Sequence, residues 1–134
     1  MSHIGGRPHL AAAVAVLLAI PTAPAMAATR NSPAAYRIAG EFAKLIGKCW
    51  LAKGQADFAG YVHASEINAI AGPPRVLLVD KKAPHGRPAL VIEFKTIAGA
   101  VDIAVYGPLA AGAKAHIIET DLNRWASGGR ECAP

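Results

Sequence analysis

Apolar positions recur along this chain in three rhythms. The first is an unbroken run from Leu10 to Ile20, preceded by Arg7 and followed by Pro21 and the small-residue tripeptide Ala25-Met26-Ala27. The run covers 11 residues, whereas a bilayer-spanning helix takes about 20, and a small side chain at each end of that tripeptide suits signal peptidase. Residues 1–27 are therefore expected to be a signal peptide cleaved after Ala27. On that reading no transmembrane anchor remains, and residues 28–134 form a single small domain.

The second rhythm is helical. After a lead of Ala28 to Asn31, Ser32 offers an N-cap and Pro33 suits the first helical position. Ala35, Ile38, Phe42, Leu45, Ile46 and Cys49 then recur at helical spacing, with Arg37, Glu41, Lys44 and Lys48 on the opposite face as ion-pair partners. The helix is predicted to end around Gly47 to Trp50, delivering Cys49 to the core.

The third rhythm has a period of two or runs wholly apolar, and it predicts strands. Phe58 to Ala64 alternates around Tyr61 and Val62, while Ser65 to Ala71 is ambiguous. Arg75 to Asp80 follows a Gly-Pro-Pro breaker and reads as a central strand. Ala89 to Ile97 and Val101 to Tyr106 face each other across Ala98-Gly99-Ala100 as a hairpin. Two registers keep the same face buried: Gly99 opening a type II′ turn pairs Phe94 with Val105, and a turn at Ala98-Gly99 pairs Lys95 with Asp102. The cost of an alanine at positive φ favours the first. Gly107-Pro108 and Gly112 break the chain, and Ala113 to Ile118 is predicted to be a last strand. Thr120 or Asp121 then caps a short helix carrying Leu122, Trp125 and Ala126, ended by Gly128-Gly129.

Together these elements predict an α+β fold. An N-terminal amphipathic helix packs on an antiparallel sheet of four to five strands, with a short C-terminal helix, by analogy with the cystatin-like arrangement. Removing residues 1–27 leaves 107, a size at which burial alone gives marginal stability. Cys49 and Cys132 are the two cysteines, neither in a Cys-x-x-Cys, and in an oxidising compartment they read as one disulfide closing an 84-residue loop.

Charge narrows the function classes only a little. Without Arg7 the chain holds 13 basic and 9 acidic residues, a net charge of +4 that favours weak attraction to anionic surfaces. Basic and aromatic residues do not interleave as a base-stacking surface requires, so nucleic acid is not an expected partner. No His-Glu-x-x-His, Gly-x-Ser-x-Gly, phosphate-cradling or dinucleotide motif is present, so no metal or cofactor is expected.

Scattered residues leave three candidate sites. His63 and Glu66 near the end of the first strand, with His116, Glu119 and Asp121 near the end of the expected last strand, would supply a metal or acid/base site if those ends met. The plainer alternative is surface polarity, with Asp121 helping to cap a helix. Lys81, Lys82, His85 and Arg87 concentrate four cationic or protonatable groups on one loop, fit for an acidic partner or phosphate, against the alternative of a solvated connection. Tyr61 and Tyr106, placed opposite the better apolar stripe, are the expected contacts on any open sheet face. Trp50 and Trp125 are expected to pack around the disulfide.

Lys48-Cys49-Trp50, Gly86-Arg87-Pro88-Ala89-Leu90-Val91-Ile92, Val105-Tyr106-Gly107-Pro108-Leu109, and Arg124-Trp125 ahead of Cys132 resemble motifs of small exported proteins of alphaproteobacteria. That resemblance implies no activity. The leading expectation is a periplasmic or secreted, non-catalytic binding or accessory protein whose partner is an envelope protein or an anionic surface polymer. The alternatives are a small metal-assisted or acid/base hydrolase using His63, Glu66, His116 and Glu119, and an inhibitor or stabiliser of a secreted enzyme.

Overall fold

The computed structural model describes residues 31–68 and 71–134. The signal-peptide expectation for residues 1–27 lies outside them. Helix α1 spans Pro33–Cys49, with Ser32 as its N-cap, the serine hydroxyl accepting from the Ala35 amide at 3.3 Å. The cap is itself anchored: the Ser32 amide donates to Thr96 Oγ1 at 2.9 Å, and the Thr96 hydroxyl donates back to Ser32 Oγ at 2.9 Å. Helix entry and sheet are thus joined by a reciprocal pair of hydrogen bonds across 64 residues of sequence.

Four strands follow, β1 (Tyr61–Glu66), β2 (Arg75–Asp80), β3 (Leu90–Ile97) and β4 (Ala100–Tyr106), in one antiparallel sheet of order β1-β2-β3-β4. The fold is α+β. On one face, Val76 and Leu78 of β2 and Leu90, Ile92 and Phe94 of β3 share a single core with Ala35, Ala39, Phe42, Leu45 and Ile46 of α1. Leu77, Val79 and Val91 are buried on the other face and stand outside that core. At β1 the strand begins at Tyr61 rather than Phe58. Phe58 instead occupies the turn before it and is buried against the Trp50 ring, stacked at 4.7 Å.

Two further expectations need correction. The β3–β4 connection is the tighter turn at Ala98-Gly99, with Lys95 opposite Asp102 and Phe94 opposite Ile103. Ala98 has φ of 50° and Gly99 of 82°, as a type I′ turn requires, because its twist matches that of the flanking strands. Strand twist outweighed the cost of one alanine at positive φ.

The expected strand at Ala113 to Ile118 does not exist. After a short helix α2 (Pro108–Ala111), helix α3 runs Ala115–Ala126 and takes in most of that segment, so the sheet stops at four strands. Its buried residues Ile118, Asp121, Leu122 and Trp125 recur at helical spacing, which the adjacent β-branched pair Ile117-Ile118 obscures. Thr120 and Asp121 therefore lie inside a helix rather than capping one. Between sheet and helices, Gly107 has φ of 116°, and a Cβ there would meet the Ala89 carbonyl oxygen at 2.7 Å. Only glycine lets β4 turn away so close to β3.

Cys49 and Cys132 are joined by a disulfide with Cα atoms 5.1 Å apart. The rings of Trp50, next to Cys49 in the chain, and Trp125 are tilted at 5.3 Å, and Phe42 meets both Trp125 and Phe94 edge-on.

Candidate binding surfaces

Residue by residue, the sequence candidates separate into a structural corner, a dispersed set and a free loop. The corner centres on Asp121, 2% exposed. Its carboxylate accepts the Trp50 indole N–H at 2.7 Å and pairs with the Arg124 guanidinium. Both oxygens are therefore engaged, as a buried carboxylate requires. Trp125 Nε1 and Arg124 Nε each donate to the Glu131 carbonyl at 3.3 Å, which fixes the tail just ahead of Cys132.

The candidate acid/base set does not converge. His63 and Glu66 sit three residues apart on β1, so they leave opposite faces of the sheet. His63 pairs with Leu78 and therefore lies on the side of α1, while Glu66 pairs with Arg75 on the other. His116 and Glu119 are exposed on α3, which replaces the strand whose end was expected beside β1. Among the described residues no group of three or more His, Cys, Asp or Glu side chains is placed to hold a metal ion. Partial burial lowers the His63 pKa below its ordinary value.

Tyr61 and Tyr106 also part company. Tyr61 shares the face of His63 and is half-buried against the helix-side core, which corrects its expected place opposite the apolar stripe. Tyr106 does lie on the far face, 45% exposed, and donates to Glu93 Oε2 at 3.3 Å. Glu93 in turn holds the Lys95 ammonium at 2.9 Å, and this hydrogen bond and charge raise the lysine pKa above its usual value.

The loop between β2 and β3 keeps its cations unpaired. Lys81, Lys82, His85 and Arg87 are all exposed, and among the described residues none of them forms an ion pair. The backbone beneath them is ordered by its own bonds. The Lys82 amide donates to Asp80 Oδ1 at 2.7 Å, Ala83 N–H to the Asp80 carbonyl at 3.0 Å, and Gly86 N–H to the Ala83 carbonyl at 2.8 Å. Charge is thus presented on a held turn, where recognition residues are commonly carried.

One concavity carries no signal in the sequence. Between α1, the start of β4 and the end of α3 lies a cavity of about 290 Å³. Ile38, Phe42, Val101, Ile103 and Trp125 line its floor, and Arg37, Glu41 and Arg130 its rim. The helical spacing of Arg37 and Glu41 was legible; the arrival of Arg130, 89 residues from Glu41, was not.

In comparisons with known protein families, curated proteins and solved structures, the chain matches none. Among the described residues, no helix is long and apolar enough to cross a membrane.

Proposed function

We propose that this chain is an exported, non-catalytic binding or accessory protein of the cell envelope, and that it engages an anionic surface polymer or an acidic envelope protein through the 81–88 loop. The observation that carries the reading is the set of exposed cations on that loop that form no ion pair among the described residues, in a domain whose buried Asp121 carboxylate is neutralised internally. Unpaired guanidinium and ammonium groups keep all their donors for a phosphate, sulfate or carboxylate. The disulfide supports export, because such bonds persist in oxidising compartments. The cystatin-like analogy, one helix across an antiparallel sheet, adds nothing to function.

Retention on an anionic polymer matrix tests the proposal, comparing the wild-type chain with a Lys81→Glu, Lys82→Glu, Arg87→Glu variant. Salt-sensitive retention that the variant loses is expected. Equal retention of both would refute the loop as the binding surface. Cleavage after Ala27 is checked separately by the mass of the protein recovered from an envelope fraction.

A further inference from the structure

We infer that the cavity between α1, β4 and α3 binds a single-chain anionic amphiphile, a fatty acid in its carboxylate form, with its chain on the apolar floor and its head against the free side of Arg37 at the rim. This site is separate from the 81–88 loop, and neither proposal depends on the other.

The floor supports an alkyl chain. Ile38, Val101 and Ile103 are only partly buried, although each packs against the core, so apolar surface is left open at the cavity mouth. Val101 and Ile103 are two residues apart on β4 and share a face, giving a strip roughly 7 Å long. Phe42 and Trp125, each 1% exposed, close its base. At about 290 Å³ the cavity is of small-ligand size and is lined mainly by hydrophobic side chains with a few polar groups, the usual make-up of a binding site.

The rim selects a negative head. Arg130 donates to Glu41 Oε2 at 2.8 Å and, through its other terminal nitrogen, to the Gly129 and Trp125 carbonyls, so its guanidinium is held over the cavity edge. Arg37 stands 3.6 Å from Glu41, beyond hydrogen-bond range, and its side chain is 66% exposed. Two cations thus share one carboxylate, leaving the rim with one net positive charge. Arg37 retains a free planar fork of donors matched to a carboxylate. A neutral amphiphile would fill the floor and leave this charge unanswered.

The test is a titration of the chain, as cells process and oxidise it, with decanoate, read by tryptophan fluorescence because Trp125 lines the site. A saturable change is expected, with binding weakened about tenfold in decanol and in Arg37→Gln. Each methylene removed from the acid should weaken binding by up to about fourfold. Arg37→Gln touches no hydrogen bond of the fold and should melt as the wild type does. Val101→Phe, which fills the floor, provides a second check and should abolish the signal while the domain stays folded. No saturable change, equal binding of decanol, or undiminished binding by either folded variant would overturn the inference. So would binding confined to phosphatidylglycerol vesicles with none to decanoate, since that marks a membrane surface rather than a cavity.

Discussion

The corner around Trp50 and Trp125 and the loop at 81–88 treat polar atoms in opposite ways. In the corner, the Trp50 indole N–H and the Arg124 guanidinium satisfy the buried Asp121 carboxylate, the Trp125 indole is satisfied by the Glu131 carbonyl, and a disulfide ties Cys49 to Cys132. In the loop, turn hydrogen bonds hold the backbone while the exposed charged heads form no ion pair among the described residues. Removing a group from the corner strands its partner away from water, so the cost falls on stability. Removing a charge from the loop strands nothing, so any cost falls on binding. Residues that hold the fold and residues that meet a partner can therefore be told apart by which property their substitution changes.

The largest effect that would sharpen this contrast is loss of the disulfide. Replacing Cys49 and Cys132 with Ser frees a loop defined by a separation of 83 residues, for which chain entropy gives a destabilisation of about 4–5 kcal/mol, measured by urea unfolding. A change under about 1 kcal/mol would show that the corner is held by packing alone.

Next comes Asp121→Ala, which leaves the Trp50 indole N–H buried without an acceptor and Arg124 without its carboxylate. The expected cost is about 2–3 kcal/mol, while Asp121→Asn, which keeps an acceptor, should recover part of it. Equal losses in both variants would assign the effect to charge rather than to the indole bond.

The Lys81→Glu, Lys82→Glu, Arg87→Glu variant should change stability by less than about 0.5 kcal/mol while altering polymer retention. If it unfolds the domain, the loop belongs with the structural residues and the contrast fails.

The smallest effect is a pH dependence from His63. Because partial burial lowers its pKa in the folded state, the unfolded chain takes up the proton first as pH falls below about 6.5. His63 therefore contributes stability that is complete above that pH and is lost as pH drops through the folded value. The residue is still largely open to solvent, so screening keeps the contribution small. His63→Gln should flatten the melting temperature between neutral and mildly acid pH, and an unchanged slope would place the titrating group elsewhere.

Local signals made part of this molecule readable from sequence. The α1 cap at Ser32, its apolar stripe, the strands β2 to β4 and the cysteine pair all follow from patterns within about 20 residues or from simple pairing. Helix α3 was misread in part because Ile117-Ile118 between glycines looks like strand, and only Leu122 and Trp125 further on restore the helical period. The hairpin register turned on a balance between twist and one residue's φ that composition alone does not settle. Of the candidate sites, the loop cations were legible as a charge cluster. The Arg37–Glu41–Arg130 rim was not, because it depends on a fold that brings the last residues back to the first helix.

The Cys49–Cys132 bond has a consequence for damage as well as for folding. The exposed 81–88 turn, the natural place for a protease to cut, lies wholly inside the covalent loop that the disulfide closes. A single nick there would yield two peptides that remain one molecule, running intact on a gel until a reductant is added.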